Sequence, residues 1–228
     1  MMDHVRDLQS VHLATERLLT AAAKLDNAAV TDQSRLPGWT RGHVLAHVAR
    51  NADALVNVLE GRPMYTSAEA RDADIERDAP RPLDVQLADV RESAARFEKA
   101  AAVPADWSRT VELRNGVTDS ASRLPFRRWV EVELHHVDLG IGYELEDLPD
   151  EFTEREIDFL AQRFTGHPDV PPTRLTDGTR AWTTGREGAG TEVTVTGAPA
   201  DLLGWLAGRR TGATLKAEGG ALPALPPL

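Results

Sequence analysis

The chain has 228 residues, of which 41% are hydrophobic and 27% are charged, and its formal net charge is −10 at pH 7. This composition is typical of a globular protein with one large or two small domains, and the acidity argues against a nucleic-acid partner. Cysteine is absent, which excludes disulfides, zinc–thiolate sites and a protein thiol nucleophile, so any metal must bind to imidazole and carboxylate groups.

Periodic apolar residues predict five helices, over about residues 4–26, 40–59, 83–102, 125–143 and 153–164. Thr40 and Thr153 are the predicted N-caps of the second and fifth helices. The charged, proline-containing residues 61–80 are expected to form a surface loop. Residues 103–123 are expected to be irregular, apart from a brief strand that begins near Trp107.

The pattern changes to short strands after His167. Strand patterns lie in residues 174–182, which contain an Asp-Gly turn, in residues 191–196 and in residues 214–217. A short helix capped by Asp201 is expected between the last two strands. We therefore predict an α+β protein, with an N-terminal helical bundle over residues 1–166 and a small α+β domain over residues 167–228.

Neither a membrane span nor a targeting segment is expected. No apolar run approaches the roughly 20 residues that cross a bilayer. The N-terminal residues lack the basic region and the apolar stretch of a signal peptide. The expected location is therefore cytoplasmic, with no membrane partner.

The fourth predicted helix carries ionisable side chains within its apolar stripe. At 100° per residue, Glu131, His135 and Asp138 fall within about 60° of one another on the helix surface. A carboxylate and an imidazole are costly to bury unless they are paired or bind a metal. Glu133 and His136 point the other way and are expected to face solvent. The Glu-x-x-x-His spacing therefore indicates a metal site or a catalytic dyad.

The second predicted helix supplies a third candidate ligand. His47 lies at the edge of its apolar stripe, whereas His43 is rotated towards solvent, although the His-x-x-x-His spacing would allow both to bind. The position of each residue on the helix face favours His47 as the histidine ligand from this helix. His43 is then expected to be solvated or to lie beside the ligands. His47, Glu131 and His135 form a set that suits zinc or, less selectively, iron, nickel or manganese, and that leaves a coordination position open. The alternative is that these are satisfied core residues.

Other charged residues have more than one interpretation. Asp138 could orient a ligand through a hydrogen bond. Arg127 and Arg128 could bind an anion but are more typical of a solvated face. Arg209 and Arg210 follow the short C-terminal helix and could hold a carboxylate together, or could interact only with the C-terminal end of that helix.

Four stretches resemble the mycothiol-dependent maleylpyruvate isomerase family, which belongs to the DinB-like metal-binding helical bundles. They are Pro-Gly-Trp-Thr-Arg-Gly-His-Val-Leu-Ala-His-Val at 37–48, the segment 63–76, Glu-x-x-x-His-x-x-Asp-Leu at 131–139, and Asp-Leu-Leu-Gly-Trp-Leu-Ala-Gly-Arg at 201–209. The last is similar to the family's C-terminal, sterol-carrier-like α/β domain. The histidine and Glu-x-x-x-His motifs are shared by many relatives, so the segment 63–76 and Arg209 are what favour the isomerase.

The resemblance implies a DinB-like four-helix bundle in which His47, Glu131 and His135 bind Zn²⁺. It implies mycothiol as the low-molecular-weight thiol cofactor and maleylpyruvate, a small dicarboxylate of gentisate degradation, as the substrate. In the implied reaction a zinc-activated thiolate adds to the cis double bond, the resulting single bond rotates, and elimination leaves fumarylpyruvate. Arg209 would bind a substrate carboxylate and stabilise the enolate. A monomer or weak dimer is expected.

Three other interpretations remain open. A mycothiol S-transferase would use the same zinc and thiol to conjugate electrophiles, and its substrate pocket would be apolar rather than lined by arginines. A non-catalytic metal-binding or stress-response bundle would fill all four metal positions with protein ligands. A zinc hydrolase would activate water at the open position.

Overall fold

The computed structural model describes residues 3–103, 106–188 and 190–227. The chain folds as two compact units, of which the first ends at Tyr143 and the second begins at Glu144. This division lies nearer to the N-terminus than the expected boundary after residue 166. None of the described helices is both long and apolar enough to cross a membrane.

Four long helices of the first unit form a four-helix bundle. The helices of this unit are α1 (His4–Ala22), α2 (Asn27–Val30), α3 (Arg41–Leu59), α4 (Ala68–Asp78), α5 (Leu83–Ala101) and α6 (Leu124–Asp138). Both α1 and α3 pack against α5 and α6, so the four helices close around one core. Leu18, Leu45, Val90 and Val132, one from each long helix, are buried in it. The predicted helical bundle is confirmed.

The second predicted helix begins where its capping residue indicates. Thr40 accepts a hydrogen bond from the backbone N–H of His43, and Nδ1 of His43 accepts one from the backbone N–H of Thr40 at 3.1 Å. The fourth predicted helix, α6, ends at Asp138, earlier than expected. Gly140 and Gly142 end it because they adopt positive φ angles of 64° and 92°.

The segment that was expected to be a surface loop contains α4, so that prediction is wrong. Ser67 caps this helix by accepting a hydrogen bond from the backbone N–H of Ala70 at 3.0 Å. Among the side chains of α4, Ile75 is the large apolar one that is buried. A single residue of this kind does not produce an apolar stripe in the sequence. The end of α4 approaches α3 closely because Gly42 has no Cβ, which would lie 2.0 Å from the carbonyl oxygen of Ala79.

A short hairpin follows α5. Its strands β1 (Thr110–Glu112) and β2 (Thr118–Ser120) pair antiparallel, with Thr110 opposite Ser120. The brief strand expected in this region is therefore present. Asn115, in the turn between the strands, adopts a positive φ of 60°, a conformation that asparagine tolerates better than most residues.

The second unit is a small α+β domain. It contains α7 (Asp150–Arg163), α8 (Pro199–Leu206) and a sheet of β3 (Thr173–Thr176), β4 (Ala181–Thr184), β5 (Val193–Thr196) and β6 (Lys216–Glu218). The strand order is β4-β3-β5-β6, and β3 and β5 form its parallel pair. Because α7 packs against α8 and β4, it groups with the sheet. The predicted α+β class is confirmed.

The two N-caps predicted in this unit are wrong. The helix α7 begins at Asp150, so Thr153 lies within it. The helix α8 begins at Pro199, since proline is well suited to the first helical turn. Asp201 therefore lies inside α8, where its Oδ1 accepts a hydrogen bond from Nη1 of Arg210 at 2.7 Å.

Candidate metal centre

Three predicted ligands come together between two helices of the bundle. His47 projects from α3, and Glu131 and His135 project from successive turns of α6. Oε2 of Glu131 lies 2.9 Å from Nε2 of His47 and 3.2 Å from Nε2 of His135. The candidate ligand atoms all lie within 4.8 Å of one another. Within the described residues, no other group of three histidine or acidic side chains converges in this way.

The geometry and the donor atoms fit a metal ion. Ligand atoms bound about 2.1 Å from a tetrahedral zinc ion lie about 3.4 Å from one another, which is close to the separations found here. Two imidazole nitrogens and one carboxylate oxygen leave one position open. The Glu131 side chain is 31% exposed, whereas those of His47 and His135 are 8% and 11% exposed. Solvent therefore reaches the cluster beside Glu131.

Burial and hydrogen bonds set the protonation states of the cluster. Burial is the main reason that the pKa of His47 falls to about 4, so its imidazole is neutral at pH 7. Burial opposes the ionisation of Glu131, but hydrogen bonds with His135 and His47 outweigh it and hold its pKa well below the usual value. Burial also disfavours charged His135, but Asp138 and Glu131 raise its pKa overall. His47 and Glu131 are therefore already in the forms that bind a metal.

Two charged side chains contact the histidines at their other ring nitrogens. Oδ2 of Asp138 lies 2.9 Å from Nδ1 of His135, a contact that fixes the orientation of a ligand ring. Nη2 of Arg71, from α4, lies 3.3 Å from Nδ1 of His47. The Arg71 guanidinium also lies 5.9 Å from the centre of the Tyr65 ring. The sequence did not single out Arg71 or Tyr65, because their segment was expected to be a loop.

His43 lies beside this cluster. Its Nδ1 is engaged in capping α3, and its Nε2 lies 3.3 Å from Oε2 of Glu76. Its ring stacks on Trp39 with 6.2 Å between ring centres. Trp39 in turn lies 5.4 Å from the ring of His47. His43 therefore supports the start of the helix that carries His47, while its own ring nitrogens have other partners.

The expectation that Glu133 and His136 face solvent is wrong. Both are buried, at 0% and 1% exposure, because α6 packs against α1 as well as α3. Glu133 accepts hydrogen bonds from Nη2 of Arg17 at 2.6 Å, from Nε1 of Trp129 at 2.9 Å and from the hydroxyl of Tyr143 at 2.8 Å. The His136 ring stacks on Tyr143 at 4.1 Å. This second polar cluster joins α6 to α1.

Arg128 is also buried rather than solvated, so that expectation is wrong for this residue. Its exposure is 0%, and its Nη1 donates to the carbonyl oxygen of Val48 at 2.8 Å and to Oδ1 of Asn51 at 2.9 Å. Burial lowers its pKa to about 10, and the charge of Glu131 opposes this shift. A buried cation therefore lies close enough to the candidate ligands to interact with Glu131.

Arg209 and Arg210, the other predicted arginine pair, follow α8 in the second unit. Nη1 of Arg209 donates to the carbonyl oxygen of Ala207 at 2.8 Å, and the residue lines a cleft of about 630 Å³. Arg210 forms ion pairs with Asp201 and Glu146. The two guanidiniums therefore have different neighbours. The role of Arg209 at a substrate carboxylate stays a prediction.

Comparison with solved structures gives two full-length matches. One is the crystal structure of a mycothiol-dependent maleylpyruvate isomerase, and the other is a mutant of that protein in which a histidine is replaced by alanine. Each has a TM-score of 0.89 and 28% sequence identity, and the match covers 99% of this chain and 97% of the other. Among curated proteins, none matches this sequence.

Family models account for both units of the chain. Residues 11–140 match the mycothiol maleylpyruvate isomerase N-terminal domain. Residues 147–227 match the C-terminal domain of the same family. Because the two matches together cover most of its length, the chain belongs to the mycothiol-dependent maleylpyruvate isomerase family.

Proposed function

We propose that this chain is a mycothiol-dependent isomerase that converts maleylpyruvate to fumarylpyruvate at a Zn²⁺ ion held by His47, Glu131 and His135. The observation that carries the proposal is the convergence of these three ligands, with an open position, in a chain of this family. The solved relative with the same fold over its whole length bears the name of this activity.

The protonation states and ring orientations of the cluster suit such an ion. Zinc bound here would lower the pKa of a thiol sulfur at its open position and so supply a thiolate near neutral pH. His47 presents a neutral imidazole nitrogen, and Glu131 presents a negative charge. Asp138 holds the ring of His135 in place through Nδ1, which leaves Nε2 directed towards Glu131.

The charges around the cluster favour an anionic ligand at the metal. Arg71 and Arg128 lie beside Glu131 and Asp138, and Arg71 also pairs with Asp72, so a divalent ion would leave this group with a formal charge of about +1. A thiolate would neutralise that charge, and the substrate carboxylates would then need a further cation. The family match and the solved relative favour isomerisation of maleylpyruvate over thiol transfer. Arg209 remains our proposed contact for a substrate carboxylate, on the strength of its family-like sequence.

We also propose a cytoplasmic location. The reaction depends on a low-molecular-weight thiol in its reduced form. Reducing compartments keep thiols in that form, whereas oxidising ones convert them to disulfides.

The test is a turnover assay with the metal-loaded protein. Maleylpyruvate is incubated with and without mycothiol, and the product is followed by absorbance and identified by chromatography. We expect fumarylpyruvate only when metal and mycothiol are both present. His47→Ala should abolish turnover, whereas the matched control His43→Gln, on the same helix, should retain it because glutamine preserves the capping pattern. A stable mycothiol adduct in place of fumarylpyruvate would indicate an S-transferase, and full turnover by His47→Ala would contradict the metal site.

A further inference from the structure

A cleft lies between the loop that precedes α4 and the β1–β2 hairpin. Its volume is about 710 Å³, within the range of pockets that enclose small organic ligands. Arg109 fixes the hairpin wall, because its Nη2 donates to the carbonyl oxygens of Val58 and Leu59 at 3.2 and 2.6 Å. Arg62 fixes the loop wall, because its Nη2 donates to Oδ1 of Asn57 at 2.7 Å. Both walls are therefore tied to the C-terminal end of α3.

The lining of this cleft offers several kinds of hydrogen-bonding group. The hairpin side of the cleft carries four exposed residues, which are Thr110, Glu112, Arg114 and Asn115. They supply a hydroxyl, a carboxylate, a guanidinium and an amide. Tyr65 adds an aromatic ring on the loop side. Mixed donors and acceptors beside an aromatic ring suit a polyhydroxylated ligand, since its hydroxyls both donate and accept and its C–H groups can pack on the ring.

Tyr65 connects the cleft with the metal ligands. Its ring centre lies 5.9 Å from the Arg71 guanidinium, and Nη2 of Arg71 lies 3.3 Å from Nδ1 of His47. A cysteine-type thiol has four bonds, which span about 5 Å, between its sulfur and the amide nitrogen that carries the next group. Tyr65 also lies near Glu131, since burial and the charge of this carboxylate both raise the pKa of its hydroxyl. A thiol whose sulfur occupies the open metal position and whose next group lies about 5 Å away can therefore extend past Tyr65 to the cleft.

We propose that the cleft binds the polyol part of mycothiol, the glucosaminyl-inositol pseudodisaccharide, and that the cysteine arm passes Tyr65 to reach the metal. The proposal rests on the thiol dependence proposed above and adds the surface that selects this thiol. Hydrogen bonds with Glu112 and Arg114 let the protein distinguish mycothiol from smaller thiols. Addition of the thiolate at the metal involves only the sulfur atom of the thiol, so this step does not require the contacts in the cleft.

The test uses the double variant Glu112→Ala/Arg114→Ala, which removes one acid and one base and so keeps the net charge. Arg91→Ala/Glu92→Ala, at exposed positions of α5 outside the cleft, is the matched control. Isomerisation is measured with mycothiol and with N-acetylcysteine, which lacks the pseudodisaccharide. We expect the cleft variant to raise the KM for mycothiol about tenfold, as the loss of one or two hydrogen bonds predicts. Its rate with N-acetylcysteine, and both rates of the control, should be unchanged.

A second measurement does not depend on turnover. Metal-free protein is titrated with the pseudodisaccharide alone, and backbone amide chemical shifts are recorded. We expect shifts confined to residues 61–68 and 110–116 in the wild type, and none in the cleft variant. An unchanged KM for mycothiol, an equal loss with both thiols, or shifts elsewhere would overturn the proposal. If no thiol supports turnover, the proposed function fails, and this titration alone decides whether the cleft binds the polyol.

Discussion

The carboxylate of Asp138 lies against the imidazole of His135, with Oδ2 at 2.9 Å from Nδ1. Asp138 is fully buried and follows His135 by one turn at the end of α6. The contact holds the ring so that Nε2 faces Glu131, 3.2 Å from its Oε2. A carboxylate in this position makes the histidine a stronger metal ligand.

Asp138→Asn should therefore weaken metal binding. An amide can still accept the hydrogen bond from Nδ1, but it removes the negative charge, so we expect a loss of affinity of about tenfold. Competition with a chromophoric chelator measures this loss. Asp84→Asn, at an exposed position of α5, is the control and should bind zinc as the wild type does. Equal affinities for the wild type and Asp138→Asn would refute a role for Asp138 at the metal.

Metal binding should also depend on pH in a way that the two histidines predict. The pKa of His47 lies at about 4, so His47 gives up no proton to a metal near neutral pH. The pKa of His135 is raised above its ordinary value of 6.5, so at pH 6.5 more than half of the protein carries this proton, which a metal must displace. We expect between about half a proton and one proton to be released per metal ion at pH 6.5, and metal affinity to rise with pH until the raised pKa is passed.

Calorimetry in buffers of different ionisation enthalpy counts the released protons. Asp138→Asn serves as the matched comparison, because it removes one of the groups that raise the pKa of His135. It should release fewer protons at the same pH. Release of two protons, or of none, by the wild type would contradict the assigned protonation states.

The convergence of His47, Glu131 and His135 could be predicted from the sequence because each of their two helices carries these residues in a local pattern. Glu131 and His135 interrupt the apolar stripe of one helix, and His47 lies at the edge of the other stripe. Helical periodicity alone fixes these faces. The contact between α3 and α6 then brings the side chains together.

The environment of Glu133 could not be predicted in the same way. Its partner Arg17 is 116 positions away in the chain, and nothing local shows that α1 covers this face of α6. Arg71 was missed for a related reason. The helix that carries it has a mostly charged sequence, and its position depends on Ser67 as a cap and on the close approach that Gly42 permits.

The buried Glu133 should contribute to stability and not to metal binding. Glu133→Gln leaves an amide against three hydrogen-bond donors and removes the ion pair with Arg17. Breaking a fully buried pair costs about 3–5 kcal/mol. Because the Arg17 side chain is 39% exposed and stays hydrated, we expect a smaller loss, about 2 kcal/mol in the free energy of unfolding.

Urea denaturation measures this loss, with the exposed Glu16→Gln on α1 as the control, expected to change stability by less than about 0.5 kcal/mol. The zinc affinity of Glu133→Gln should equal that of the wild type. A stable variant that binds zinc weakly would show instead that Glu133 acts on the metal cluster.

Arg209→Ala should lower turnover while leaving the zinc content intact. The reason is that Arg209 is proposed to hold a substrate carboxylate and the enolate that develops from it, and is not proposed as a metal ligand. Loss of an electrostatic contact of this kind costs about 100-fold or more in kcat. Arg186→Ala, an exposed arginine of the same unit, is the control. Loss of zinc from Arg209→Ala, or unchanged turnover, would contradict the assignment.

The most direct test of the metal centre is a stepwise reconstitution of the chelated protein. Zn²⁺ is added in fractions of one equivalent, and mycothiol-dependent conversion of maleylpyruvate is measured after each addition. We expect activity to rise linearly and to stop rising at one equivalent, with no activity in Glu131→Gln or His135→Ala at any zinc level. Full activity of the chelated protein, or full activity of either ligand variant, would contradict it.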